Sequence, residues 1–303
     1  MKTPQNLIEF FECYGTEKAC FKALVSYRWP DGFQCPACGG HKAYWVKRGA
    51  LFECAGCGHQ ASPTAGTILH KTKTSLQKWF LAIYLMSSTK KAPSAAELCR
   101  QLRVAYHTAW SIRRKIVQAM GRGEGEMMLC GRVELDETLI GGYKPGKPGR
   151  SSGQKAVVAV SVERTPNNKG CYLAHMQVIP DAGGASLTHS SKAAIVSGST
   201  ILTDGWSGYQ GLTKEGYRHR PKVVGSPEKA VKVLPWAHIL VSNFKRWILD
   251  VFHGVSIKHL QAYLDEFCYR FNRRWQRTDI FRRVLNRCIF YTPPFSYAQL
   301  TAT

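Results

Sequence analysis

Apolar residues recur at helical spacing between residues 5 and 27, which predicts a short helical lead-in. Tyr44-Trp45-Val46 and Leu51-Phe52-Glu53 then have the aromatic and branched character of two short strands. Ser75 stands at a helix-cap position ahead of an apolar helix through Met86. Pro93 and Ser94 open a further helix over 95–102, and a turn at Arg103-Val104-Ala105 leads into another from Tyr106 to Ile116. Leu98, Leu102, Val104, Trp110 and Ile112 form the expected core of that pair. Beyond a glycine-bearing linker at 121–125 the spacing changes from helical to alternating.

The first alternating segment is Val133-Glu134-Leu135-Asp136-Glu137-Thr138, where Glu134 and Asp136 share one strand face and Leu135 takes the other. Strands are expected at 155–162 and 172–179, a helix at 186–196, and a short buried strand from Ile201 that ends on Asp204. Another strand is expected at 217–224, followed by helices at 237–252, 256–271 and 279–288. Strands, a helix, a strand and then helices predict a mixed sheet covered by helices.

Composition narrows the function. The 303 residues suit two or three domains, and 42 Lys and Arg stand against 20 Asp and Glu, a net charge of +22. Such an excess is high for an ordinary metabolic enzyme and fits a polyanionic partner such as DNA. An anionic membrane surface would attract the same charge, but no lipidation signal or lone basic amphipathic helix accompanies it. The opening MKTPQNLIEFF makes a poor signal peptide, and the apolar run 79–86 is too short to span a bilayer. A cytoplasmic, DNA-associated protein is expected.

Eleven cysteines, an odd number, argue against a secreted disulfide scaffold. Four of them form two Cys-x-x-Cys pairs, Cys35/Cys38 and Cys54/Cys57, each able to give two thiolates to one tetrahedral Zn2+. Four buried or redox-active thiols are the competing explanation, and the doubled spacing favours zinc. The ribbon should cover 33–62, with the aromatic residues at 44, 45 and 52 packing around the metal rather than stacking on bases.

The two helices over 95–116 have the lengths of a helix-turn-helix, with an ordinary helical hairpin as the alternative. In that module Tyr106, His107, Arg113, Arg114 and Lys115 are the candidate DNA contacts. Further along, 141–153 reads as a basic loop in which Lys144, Lys147 and Arg150 are available to DNA. It lacks the spacing of a phosphate-binding GxxxxGKS loop, so an ATPase is rejected.

Asp136 and Asp204 lie on or at the ends of expected strands in apolar surroundings, where a carboxylate is costly without a partner. Edge or turn aspartates are the simpler reading of either residue alone. Brought together, the pair could hold Mg2+ or Mn2+ for phosphoryl transfer.

At these residues the chain resembles the ISXO2-like insertion-sequence transposases, a branch of the DDE superfamily. Residues 133–138 with Ile140-Gly141-Gly142 are similar to the family's opening motif, and Thr203-Asp204-Gly205-Trp206-Ser207-Gly208-Tyr209 to its second. His238 with Ser242-Asn243-Phe244-Lys245-Arg246-Trp247 is similar to the third, and 253–267 with Arg270-Phe271-Asn272-Arg273-Arg274 to its C-terminal signature.

The resemblance implies a multidomain protein: a lead-in and four-cysteine zinc ribbon at 1–65, a helix-turn-helix module at 66–124, and an α/β ribonuclease H-like catalytic core with C-terminal helices at 125–303. It implies an insertion-sequence transposase that binds terminal inverted repeats and catalyses phosphodiester hydrolysis and strand transfer, working on double-stranded DNA as a homodimer or higher assembly. A catalytically inactive, transposase-derived DNA-binding regulator is the alternative.

By the same resemblance Asp136 and Asp204 are the first two metal ligands and Asn243 the third, where many superfamily members have glutamate. An amide oxygen can bind a hard cation without supplying charge. Glu228, Asp250, Asp265, Glu266 and Glu134 compete for that third role on physical grounds. His238 is expected to orient water or phosphate if the helix begins just after it, with a capping or packing histidine as the alternative. Lys245 and Arg246, with the Arg270, Arg273 and Arg274 cluster, are expected at DNA.

Overall fold

The computed structural model describes residues 3–89, 91–121, 127–141, 155–223, 233–252, 255–291 and 293–302. In chain order the helices are α1 (Leu7–Tyr14), α2 (Glu17–Arg28), α3 (Leu76–Ser88), α4 (Ala95–Leu102), α5 (Tyr106–Gly121), α6 (Gly184–Ala194), α7 (Pro235–Phe252), α8 (Ile257–Asn272), α9 (Ile280–Asn286) and α10 (Tyr297–Ala302). The strands are β1 (Ala43–Val46), β2 (Leu51–Cys54), β3 (Gln60–Ala61), β4 (Arg132–Ile140), β5 (Ala156–Arg164), β6 (Cys171–Ile179), β7 (Thr200–Thr203) and β8 (Arg218–Pro221). They form two compact units, residues 1–122 with 276–302, and residues 123–275.

The first unit is helical around a small ribbon. Asn6, Thr16 and Ser94 cap α1, α2 and α4 by accepting the backbone N–H of Glu9, Ala19 and Glu97. Ser75 holds the N-cap position of α3 without a side-chain cap bond. The Glu17 carboxylate from α2 takes that role, accepting the N–H groups of Leu76 at 2.8 Å and Gln77 at 2.9 Å. An anion at a helix N-terminus also suits the helix dipole.

In the ribbon, β1, β2 and β3 pair antiparallel. Cys35 and Cys54 each accept an N–H from the glycine four residues on, Gly39 and Gly58, at 2.9 Å. Both glycines have positive φ, 74° and 69°, the backbone region that favours residues without a Cβ. The four sulfurs lie within 4.8 Å of one another, with Cys35–Cys57 at 3.7 Å and Cys38–Cys54 at 3.5 Å. Four thiolates about 2.3 Å from a tetrahedral zinc would sit about 3.8 Å apart, so the cage fits the metal. Backbone N–H groups of Cys57 and Gly56 lower the Cys54 thiol, while hydrogen bonding to the neighbouring sulfurs raises that of Cys57, so the four thiols share their charge unevenly. Phe52 packs with Phe21 of α2, Trp29 and Phe33, and Trp45 touches Phe21 and Phe52, while Tyr44 and much of Trp45 stay exposed.

Residues 276–302 complete this unit, whereas the sequence-based division ran the third domain to 303. Phe281 of α9 meets Phe10, Tyr14 and Tyr84, and Ile68 donates its N–H to the Cys288 carbonyl. Arg28 donates to Ile289 O and Arg287 to Met120 O. Burial of an aromatic side chain that α1 and α3 leave open brings the C-terminus back.

The second unit is a five-stranded mixed sheet of order β6-β5-β4-β7-β8. The β6-β5-β4 side is antiparallel, and β4-β7-β8 is parallel. Val133 and Leu135 point into a core with Leu187 and Ala194 of α6 and Tyr209 and Leu212 of the 3-10 segment Ser207–Glu215. Glu134, on the alternate face, meets the backbone of α7. On α8, Gln261 pairs with Val178 N and Met176 O, and Asn272 with Ala174 N and O, so two side-chain amides satisfy the edge of β6.

Two outcomes are expected. Phe281→Ala should cost about 3–5 kcal/mol, read as faster amide exchange in the first unit while β4 and β5 stay protected. Metal analysis should give about one zinc per chain; Cys35→Ser should lose it and unfold the ribbon.

Candidate functional site

The β4–β7 ladder sets Val133 opposite Ile201 and Glu134 opposite Leu202, running parallel. Two residues further along each chain come Asp136 and, one past the end of β7, Asp204. Parallel strands about 4.8 Å apart therefore bring the two aspartates side by side at the end of the ladder. Gly205, with φ of 87°, turns the chain at once, and Asp204 accepts the N–H of Trp206 at 3.0 Å. His238, in the first turns of α7, holds Nε2 3.7 Å from Asp136 Oδ2.

The electrostatics record that crowding. Burial, then Glu137, raises the Asp136 carboxyl to about 7, and Asp204 and Glu134 add to the rise. Burial lowers His238, against the pull of Asp204. Two carboxylates that repel each other, one of them beside an imidazole, thus share one electrostatic neighbourhood. Among the described residues the four cysteines are the cluster of three or more His, Cys, Asp or Glu that closes on one point. The acidic site is a pair of carboxylates beside a histidine.

Asn243 and Lys245 occupy the same helix. Lys245 Nζ reaches Thr138 Oγ1 at 3.5 Å, so His238 and Lys245 mark the line of α7 that follows β4. At 100° per residue Asn243 lies about 140° around the helix from His238. It is exposed and, among the described residues, makes no hydrogen bond to either aspartate. Arg246 is exposed as well, and burial lowers Lys245. Of the competing acids, Glu266 is buried and paired with Arg270, and Asp265 accepts from Gln261. Glu228 lies outside the described residues, as do Lys144, Lys147 and Arg150.

Several expected DNA contacts belong to the core instead. Arg113 and Arg114 are 3% and 2% exposed, Arg113 donating to Pro93 O and Arg114 to Leu300 O. Their positions on α5 face α4 and the returning C-terminus, because the buried arc of that helix also takes Ile112, Ile116 and Val117. Arg273 is 5% exposed, with its guanidinium 3.9 Å from the Tyr269 ring and a bond to Met127. Arg274 donates to the carbonyls of Cys171, Tyr172 and Phe271, and Arg270 pairs with Glu266. The arginines at 270, 273 and 274 fasten α8 to its surroundings.

Tyr106 and His107 remain exposed at the start of α5. His107, Ser111 and Lys115 recur every four residues and line an open groove of about 480 Å3 with Thr72, Thr74 and Tyr297. Lys115 is half-buried there, donating to Ile68 O at 3.3 Å, and burial lowers its ammonium.

Three site features escaped the sequence. Tyr209, buried in the unpredicted 3-10 segment, donates its hydroxyl to Glu137. Thr203 Oγ1 meets His219 Nε2 at 2.9 Å directly before Asp204. Arg164 pairs with Glu134 at 2.7 Å. The residue types were visible, but neither spacing nor periodicity announces a contact between distant segments.

The chain matches an ISXO2-like transposase domain over residues 128–272 and a transposase zinc-ribbon domain over residues 15–60. It is 25% identical over 277 residues to an uncharacterized protein in transposable element ISH50 of Halobacterium salinarum, spanning 84% of this chain and 90% of that one. Among solved structures it has 14% identity and a TM-score of 0.30 with a chain of the Mos1 strand transfer complex, over 72% of this chain and 78% of the other. A chain of the simian T-cell lymphotropic virus intasome in complex with PP2A regulatory subunit B56 gamma gives 15% identity and a TM-score of 0.32, over 61% and 74%. No helix among the described residues is long and apolar enough to cross a membrane. The protein thus carries an ISXO2-like DDE transposase domain joined to an amino-terminal transposase zinc ribbon.

Proposed function

We propose that the protein is an insertion-sequence transposase that cuts and joins DNA at the acidic site of the second unit. The observation that carries this reading is the convergence of Asp136, Asp204 and His238 at the end of the β4–β7 ladder. The strand order, three antiparallel strands continued by two parallel ones, supports a ribonuclease H-like core.

Asp136 and Asp204 would hold Mg2+ or Mn2+, with Asn243 as the proposed third ligand after a movement of α7 or of its own side chain. When bound, such cations stabilise charge on the attacking and leaving oxygens of a phosphodiester. The protein's own groups do the rest. His238 orients the attacking oxygen, first water and then a 3′ hydroxyl, beside Asp136. Lys245 and Arg246 steady the phosphates, both being exposed on α7. The Glu137 backbone N–H donates to Asp136 Oδ1 at 3.0 Å and keeps that carboxylate in place.

Terminal inverted repeats are assigned to the first unit, where α4 and α5, joined by the turn at Arg103, are read as a helix-turn-helix. His107, Ser111 and Lys115 line the groove that faces DNA in this reading, and the exposed Tyr106 precedes them on α5. With +22 of net charge, the phosphate contacts favour binding at low salt. Synapsis of two element ends calls for a homodimer or higher assembly on DNA.

The exposure of Asn243 away from both aspartates favours one second reading, a transposase-derived regulator that binds DNA without cutting it. Duplexes carrying the DNA that flanks the gene, supplied with Mg2+, separate the two. The transposase reading expects a nick at the element boundary. Asp136→Asn or Asp204→Asn should slow it about a hundredfold or more, equivalent to about 3 kcal/mol, while leaving DNA affinity in place. Binding without any nick would leave the regulator.

A further inference from the structure

We infer that Glu134 is a positioning residue, whose buried carboxylate ties the start of α7 to β4 and thereby fixes His238 over Asp136. The inference rests on the transposase reading, and its test separates the two.

Glu134 is wholly buried, yet it carries an ionisable carboxyl and sits opposite Val162 in the sheet, where an apolar side chain would fit. Its Oε1 accepts Arg164 Nε at 2.7 Å, and its Oε2 accepts the Ala237 N–H at 2.8 Å. Arg164 passes a second bond to Val233 O at 2.9 Å. One ion pair thus grips α7 on both sides of its first residue and joins it to β4 and β5. The anion lies at the helix N-terminus, where free N–H groups and the dipole favour it.

Stability alone is a poor reason for such a pair. Desolvating two charges costs several kcal/mol each, and apolar replacements of similar volume are often neutral or stabilising. Orientation is the better one. Glu134 lies two residues before Asp136 on the same strand face, and Ala237 lies one residue before His238. The tether therefore spans the 3.7 Å approach of His238 to Asp136 from its two ends. Loss of the carboxylate frees the helix start to shift, and a shift of about 1 Å is enough to disturb a reactive geometry.

The test uses the full zinc-loaded chain with E134Q, R164M and the charge-free pair E134Q/R164M. Either single variant leaves one buried charge unmatched and is expected to lower the melting temperature; the double variant should recover it. Recovery of stability should not bring recovery of the site. In the double variant we expect faster amide exchange at residues 236–238, at least tenfold weaker Mn2+ binding and at least tenfold slower nicking. A double variant that is stable and matches the wild type in exchange, Mn2+ affinity and nicking would reduce Glu134 to core packing and overturn the proposal. If the single variants unfold, the double variant carries the comparison. A wild type that neither binds Mn2+ nor nicks DNA defeats the transposase reading instead, and exchange at 236–238 then decides the tether by itself.

Discussion

Parallel pairing of β4 with β7 is the constraint on which the rest of the second unit depends. It brings together segments almost seventy residues apart and sets Asp136 and Asp204 abreast at the point where the ladder ends. The shorter strand stops and its aspartate is released from pairing, while β4 continues to Ile140. Each carboxylate gains freedom at one side and a rigid backbone at the other. Bringing two like charges together at partly buried positions is unfavourable by itself, and burial with the neighbouring carboxylates raises the Asp136 carboxyl. Apolar packing of Leu135, Ile201 and Tyr209 on the reverse face supplies the compensating burial.

Polar side chains at element ends do much of the joining elsewhere. Glu17 caps α3, Glu134 caps α7, and the amides of Gln261 and Asn272 close the edge of β6. Each satisfies backbone groups that a helix start or a sheet edge leaves open. Such bonds are directional where apolar contacts are not, so they set angle and register after burial has set proximity. The price is that charged residues read as surface contacts turn inward. Arg113, Arg114, Arg273 and Arg274 spend their guanidinium groups on carbonyls, rings and neighbouring helices.

The ribbon and the returning C-terminus give the first unit two kinds of closure. Thiolate geometry holds a module too small to bury much of its own surface. Residues 276–302 supply the aromatic side chain and backbone partners that α1, α3 and α5 lack by themselves. Both units of the protein therefore depend on covalently distant pieces. The second unit enters the chain as an insertion between the main part of the first and its final helices.

The sequence by itself determined what local chemistry can specify. Doubled Cys-x-x-Cys spacing fixed the metal module, alternation placed Glu134 and Asp136 on one strand face, and capping residues located α4 and α5 within a few residues. Similarity of the acidic motifs pointed to the transposase family whose domain the chain matches over residues 128–272. Tertiary structure alone decided which side chains meet: the pairing of Tyr209 with Glu137, the tether from Glu134 to α7, the replacement of Ser75 by Glu17, and the side of α7 that Asn243 occupies. A basic residue looks the same in a sequence whether its charge faces solvent or a buried carbonyl. Only the folded path of the chain, set by burial over long separations, distinguishes the two.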